Sequence, residues 1–518
     1  MKKNVFLLAF IFSFFLLVSC SDDAFELDQP PEPPWTTLNE FERVPIGLYH
    51  SMYSGNHWKI AYSNYAMFKV SGGDDIAYVS DPSWGYLRDS KQNNIWSDAN
   101  FQLLYRTIGT ANDAIAFVAE NNGDPYPLIS DDDRVNNFNR ILGEIYFARG
   151  MAYYYLQTFY GHPYNPNGAN NDAILPYRVK FANNVEEATN PEIGTTQQIF
   201  DLMLSDFERA YSLLPERFDS GKHHPSFEVR GNKFAAASML MKIHFSRGEY
   251  DEALALTDFI IDENKGAYNL SEDPIEAFNK GGTARGREVI FYIPYSDPSF
   301  QGPHHLSVLN NTYENGRLCE WAETRMSKTL LDKLGWIDDL STTQFNDAAL
   351  RDKRFQQVME YRNPSGVTPN RDGRDPRREI SGETTVWPFK YFRNGDSFYT
   401  NVPLVRLAEI YLTRSILRFK SGNIGGAAED LEMVRRRAWD ESVMPYEPIS
   451  SGQLTEDDIH TERMVEMFNE PDRIEYLRAL KMDIPPGDRE AASPEPYTSE
   501  KFIWAIPVAE SSFNNNID

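Results

Sequence analysis

Residues 402–438 read VPLVRLAEIYLTRSILRFKSGNIGGAAEDLEMVRRRA. Leu404, Leu407, Ala408, Tyr411 and Leu412 recur at i, i+3, i+4, i+7 and i+8, which predicts an amphipathic helix over 403–420. Gly422 ends it, and after four intervening residues Ala427 opens a second helix over 427–438. The same signature stands earlier in the chain: a helix over 230–247, then Gly248, four residues, Ala253, and a helix over 250–261 with Ala253, Leu256 and Ile260 on one face. Ala235, Ala236, Ala237 and Ser238 permit close helix approach. A glycine turn followed by an alanine at the crossing marks tetratricopeptide-like hairpins. The copies are irregularly spaced, so the expectation is a few hairpins forming a right-handed superhelical base, not a regular solenoid.

A further helical segment covers 141–161, where Ile141, Ile145, Ala148, Ala152, Tyr155 and Phe159 form one apolar seam. Arg140 and Glu144 lie one turn apart and are expected on its polar side, and Gly161 stops the helix. Between the helical segments lie loop-rich stretches at 51–98, 161–195, 262–325 and 360–400, long enough to suggest function. Val289–Ile293 is the clearest β-like run. The fold class expected is mostly α, with helices as scaffold and long loops carrying short β elements.

At the N-terminus, Lys2 and Lys3 precede an apolar run from Val5 to Val18 broken only by Ser13, the form of a secretory signal and too short for a comfortable span. Leu17-Val18-Ser19-Cys20 resembles a bacterial lipobox, predicting removal of residues 1–19 and acylation of Cys20. Each buried methylene of such an anchor adds roughly 0.8 kcal/mol. Asp22, Asp23 and Glu26 then resemble the acidic signal that sends Bacteroidetes lipoproteins to the cell surface. Pro30, Pro31, Pro33 and Pro34 complete a semi-rigid tether over 20–38. Cleavage removes two lysines and no acid, leaving 49 basic against 76 acidic residues and a formal charge of −27. That balance argues against binding a nucleic-acid backbone. Without Cys20, Cys319 is alone, so packing and not a disulfide must hold the fold.

The chain carries no HExxH, Walker A, GxSxG or CxxC motif. His223-His224 and His304-His305 are adjacent pairs whose side chains point apart, a poor start for a metal site. Asp74-Asp75 and Asn370-x-Asp372-Gly373-x-Asp375 offer oxygen ligands for a structural Ca²⁺, but neither has the full twelve-residue pattern. No cofactor is expected. Glu462, Arg463 and Glu466 stand at helical spacing and are read as ion-pair partners and not as catalytic carboxylates.

Several of these segments, in this order, resemble the SusD/RagB family of nutrient-binding outer-membrane lipoproteins. They are Trp96–Ile115, the Tyr160-Gly161-His162-Pro163 helix end, the hairpin over 231–260, Val402–Arg437, the Glu462, Arg463, Glu466, Glu470, Arg473 series, and Ile506–Glu510, which resembles the family's C-terminal strand. Pro471 departs from the small residue usual after Glu470. The resemblance implies a single domain over 39–518, with an N-terminal part at 39–216 and a C-terminal part from about 270. It also implies a role without turnover: capture of an oligosaccharide at the outer surface of the outer membrane and delivery to a SusC-like TonB-dependent transporter. An oligopeptide is the alternative ligand, and a surface glycosidase the rival from another class.

Ligand contact is expected from rings in loops. Tyr78, Trp84 and Tyr86 lie in the loop 71–90, and Tyr295, Tyr313 and Trp321 in or beside the loop 294–321, with Asn310, Asn311 and Arg317 available for hydroxyls. If those loops are packed structure, Trp387 and Tyr391 are next. Trp96 is read as core.

Overall fold

The computed structural model describes residues 35–53, 73–78, 95–182, 184–294, 313–314, 317–318, 324–338, 345–362, 385–391, 401–488, 493–508 and 510. The chain divides at Glu42 into two units. In the first, Thr37 and Glu40 form a reciprocal capping box on the single turn Leu38–Phe41. The second unit, Arg43–Asp518, carries the helices and strands of the fold.

Helices α1 (Arg43–Tyr53), α2 (Ile95–Glu120), α3 (Asn139–Tyr160) and α4 (Thr196–Leu213) form one layer. α3 is its centre, buried along almost its whole length. Gly150 explains how closely α4 approaches: a Cβ there would lie 2.9 Å from the Phe207 ring. Arg149 then bonds Asp206 of α4 at 2.6 Å and Asn112 of α2 at 2.7 Å, joining three helices through one guanidinium. The seam from Ile141 to Phe159 is buried as expected. The expected polar side is not polar surface. Arg140 and Glu144 are both fully buried and paired, and Arg230 reaches Glu144 from another segment at 2.9 Å. Periodicity places charges on a face but cannot say that a second segment covers it.

The two glycine hairpins are present. α5 (Lys233–Arg247) and α6 (Tyr250–Asp262) turn at Gly248, φ 80°, and α9 (Leu407–Lys420) and α10 (Ile424–Arg437) turn at Gly422, φ 84°. A residue with a Cβ resists this left-handed backbone. Ala253 and Ala427 are fully buried at the crossings, and Ser415 donates to the Ala427 carbonyl at 2.8 Å across the second hairpin. Arg414 of α9 bonds Asp258 and Asp262 of α6 and Asp430 of α10, tying the hairpins together. Between the hairpins in sequence lie α7 (Lys328–Leu334) and α8 (Lys353–Val358), and after them α11 (Glu456–Glu466) and α12 (Arg473–Ala479).

The helix predicted over 403–420 begins four residues later than expected, because Val402–Arg406 is a strand. β-Branched Val402 and Val405 suit extended backbone, and the position before Pro403 disfavours helix. The described strands pair two by two, all antiparallel: β1 (Ile76–Tyr78) with β7 (Thr324–Met326), β2 (Ala173–Pro176) with β3 (Ile193–Thr195), β4 (Val289–Ile293) with β10 (Val402–Arg406), β5 (Tyr313–Glu314) with β6 (Arg317–Leu318), and β8 (Met359–Arg362) with β9 (Thr385–Pro388). The β4–β10 register sets Arg406 opposite Val289, and Leu407 N donates to the Glu288 carbonyl at 2.8 Å. Ile506 and Pro507 are not a strand: this segment is irregular chain anchored by Trp504, which stacks on Phe159 at 4.7 Å and bonds its carbonyl at 2.7 Å.

Candidate ligand-binding site

The Glu/Arg series around α11 and α12 holds the scaffold together. Glu462 accepts from Arg354 at 2.6 Å, and Glu466 meets Arg354 at 3.1 Å, Arg406 at 2.5 Å and Arg437 at 2.6 Å. Glu470 accepts from Arg406 at 2.8 Å and Lys390 at 2.5 Å. Arg463 bonds Asp472 at 2.6 Å and the Thr413 hydroxyl at 2.9 Å. One short stretch thus grips α8, α9, α10, β10 and the residues after β9. The ion pairs expected from helical spacing exist, but most join different elements and are buried.

Burial alone would push the Glu466 carboxyl up, yet Arg437, Arg406, Arg354 and Lys390 hold it well below the usual carboxylate range. Burial pushes the Lys390 ammonium down, against the pull of Glu470. Charges so placed cost several kcal/mol each to desolvate and are tolerable only when matched. These carboxylates are engaged and shielded from solvent, an arrangement suited to bracing and not to proton transfer.

The last arginine of the series reaches a different region. Arg473 bonds both carboxylate oxygens of Asp74, at 2.6 and 3.1 Å. Asp74 sits at the foot of β1, where the Ser327 hydroxyl bonds its carbonyl at 2.6 Å and the Ser327 amide bonds that of Asp75 at 2.9 Å. Asp488 accepts the amides of Lys328 and Thr329, at 2.7 and 3.1 Å. The carboxylate of Asp74 is therefore an ion-pair partner. Asp75 is buried with one carboxyl oxygen unbonded, and burial followed by repulsion from Asp74 raises it to about 7.

The other end of this ribbon leads toward the predicted rings. β1 ends at Tyr78, directly opposite Thr324, the first residue of β7. The chain toward Trp84 and Tyr86 leaves the ribbon at the same end where the chain from Trp321 arrives. The β1–β7 pairing thus joins the stems of the two loops, which are far apart in sequence. Tyr313 and Arg317 fall on the paired strands β5 and β6. Trp84, Tyr86, Tyr295, Asn310, Asn311 and Trp321 lie outside the described residues, as do Cys20, Cys319, His304, His305, Asn370, Asp372 and Asp375. Trp96 starts α2.

Trp387 and Tyr391 are buried, 1% and 3% exposed, and Trp387 donates to Thr385, so neither ring is offered to a ligand. His223 accepts from the Asp219 amide, while His224 faces Ser226. Among the described residues no three His, Cys, Asp or Glu side chains are grouped to hold a metal, and no helix is long and apolar enough to cross a membrane. A cavity between α3, α5, β10 and Glu470 has a volume of about 40 Å³. At roughly 10–15 Å³ per water it holds a few waters and no sugar ring.

Among curated proteins nothing matches the chain. Residues 42–245 match a SusD-like family described as starch-binding and associating with the outer membrane, and residues 287–478 match the SusD family, SusD_RagB. A putative sugar-binding protein from Bacteroides vulgatus is 20% identical, with a TM-score of 0.72 over 94% of this chain and 99% of that one. A SusD superfamily protein from Bacteroides thetaiotaomicron, also 20% identical, gives 0.71 over 93% and 99%. A SusD-like carbohydrate-binding protein from Bacteroides vulgatus, 15% identical, gives 0.70 over 93% and 98%. At such identities the likeness is one of fold. Together with the family matches over both halves, it identifies the chain as a member of the SusD/RagB family.

Proposed function

We propose that this chain is a cell-surface lipoprotein that binds an oligosaccharide or polysaccharide and delivers it to a SusC-like TonB-dependent transporter of the outer membrane, without catalysing its breakdown. The observation that carries the reading is the β1–β7 ribbon, which brings together the stems of two aromatic-rich loops on a braced base. Rings stack on sugar faces, and loops on a rigid support are the usual carriers of such contacts. Membership of a family described as starch-binding and associating with the outer membrane supports the ligand class and the compartment. Cys20 is the lipidation site in this reading.

The test is a panel of polysaccharides and peptides, with retention and reducing-sugar release both measured. One retained glycan class with no product release is expected. Steady release makes the protein a glycosidase, and retention of peptides alone makes it a peptide carrier. Trp84→Ala with Trp321→Ala should abolish retention at nearly unchanged melting temperature, whereas Trp96→Ala, if that ring is core, should cost about 3–5 kcal/mol. Cys20→Ala should release the protein from membranes of cells lacking the transporter.

A further inference from the structure

Along β10 and the C-terminal helices, Arg354, Arg406, Arg414, Arg437 and Arg463 each hold a carboxylate within 3 Å. Arg351 and Arg435 depart from this. Neither has a carboxylate within 4 Å among the described residues, in a chain of 76 acidic and 51 basic residues. Both face one ring. The Arg351 guanidinium carbon lies 3.6 Å from the centre of Trp439, and that of Arg435 lies 5.6 Å from it. Arg351 spends two of its donors on weak contacts, with the Ala348 carbonyl at 3.4 Å and the Met444 sulfur at 3.7 Å. Arg435 donates no side-chain hydrogen bond among the described residues.

The ring is fixed. Trp439 is 7% exposed, its indole N–H bonds the Met444 carbonyl at 2.7 Å, and Tyr446 meets it edge-on at 5.0 Å. Both arginines are only half-buried, so solvent reaches them. Nearby acids are occupied: Asp352 and Glu462 by Arg354, and Glu432 by the Tyr446 hydroxyl and the Ile449 amide. Glu447 is exposed. Burial, and then Arg435, press the Arg351 guanidinium toward losing its charge, which its acidic neighbours only partly offset.

We propose that Arg351 and Arg435, held on the ring of Trp439, form a binding site for an oxyanion, the sulfate or carboxylate group of an acidic ligand. Stacking on an aromatic face fixes a guanidinium plane while leaving its N–H edge free, and that planar fork matches oxyanions. A bound anion supplies the negative charge that both guanidinium groups lack among the described residues. The site draws on no residue of the β1–β7 loops and stands whether or not those loops bind sugar. The rest of the chain's negative charge does not prevent it, because charges more than about 8–10 Å away are largely screened at physiological salt.

The test is thermal unfolding of the purified protein in millimolar sodium sulfate, with ionic strength held constant by sodium chloride. A parallel arm uses a sulfated galactan oligosaccharide and its neutral counterpart. A saturable rise in melting temperature is expected, with Arg351→Gln and Arg435→Gln each weakening the apparent affinity at least tenfold. In chloride alone each variant should melt close to the parent, since relief of the repulsion between the two like charges offsets the lost contact with Trp439. If Arg435→Gln fails to fold, Arg351→Gln and Arg351→Lys carry the test, the lysine keeping the charge and losing the fork. A stronger response to the sulfated oligosaccharide than to sulfate makes the ligand an acidic glycan, and an equal response per sulfate makes it a free anion. No saturable shift, or one that survives in both glutamine variants, overturns the proposal.

Discussion

Around Glu466 three guanidinium groups converge on one carboxylate, whereas at the foot of the β1–β7 ribbon the one guanidinium of Arg473 bonds Asp74 and exerts only a longer-range pull on Asp75. Both regions are buried, and both are held by residues of one short series, Glu462 to Arg473. The first surrounds Glu466 with cations that pull its carboxylate firmly into the ionised state. The second is under-supplied, and Asp75 is left without a partner for one oxygen. The contrast predicts a larger loss of stability for a change at Glu466 than for one at Arg473. Local stabilities that differ in this way are how a scaffold stays fixed while a binding region adjusts.

The comparison breaks most readily at Glu466. Glu466→Ala should cost at least about 3–5 kcal/mol, because it strands several buried cations at once. Urea unfolding measures this, and a midpoint close to the parent's would mean that the cluster does not brace the fold. A smaller loss, on the order of 3 kcal/mol, is expected for Arg473→Met, which leaves Asp74 buried and unpaired. Here the location matters more than the size. Amide exchange should quicken in β1 and β7 and stay slow in α9 and α10, and adding Asp74→Asn should recover part of the loss. Equal quickening in α9 and α10 would merge the two regions into one.

The smallest effect, and the one that sharpens the contrast, is at Asp75. Its carboxyl is raised in the folded chain to about 7 from an ordinary 3.8. The stability it contributes is therefore fully present below 3.8 and is lost as pH rises through 7. Asp75→Asn should raise stability at pH 8 by roughly 1–3 kcal/mol, with the gain shrinking as pH falls and vanishing near 4. Melting curves at pH 4, 6 and 8 measure it. A gain independent of pH would show that the carboxyl is not titrating in the fold.

How much of this could be read beforehand depended on range. The hairpins at Gly248 and Gly422 were legible because each signal spans a few neighbouring residues. The strand at Val402–Arg406 was misread as helix because Leu404 happens to continue the helical period, while the partner that makes it a strand, Val289–Ile293, lies more than a hundred residues away. Arg140 and Glu144 were rightly paired and wrongly placed, because the burial that Arg230 shares with them is a property of packing. The two ring-bearing loops were found by composition, but their common root could not be, since Tyr78 and Thr324 meet only through strand pairing.

By itself the sequence determined the helical class, the turns, the candidate anchor at Cys20 and the types of residue offered to a ligand, all of them local properties written in spacing and backbone preference. The tertiary structure alone decided which charges are matched. Arg406 meets Glu466 across 60 positions and Arg473 meets Asp74 across 399, and no periodicity spans such distances. Whether an arginine braces a helix, steadies a loop or stands open to an anion follows from the low-dielectric space it is folded into and from which carboxylate, if any, reaches it there.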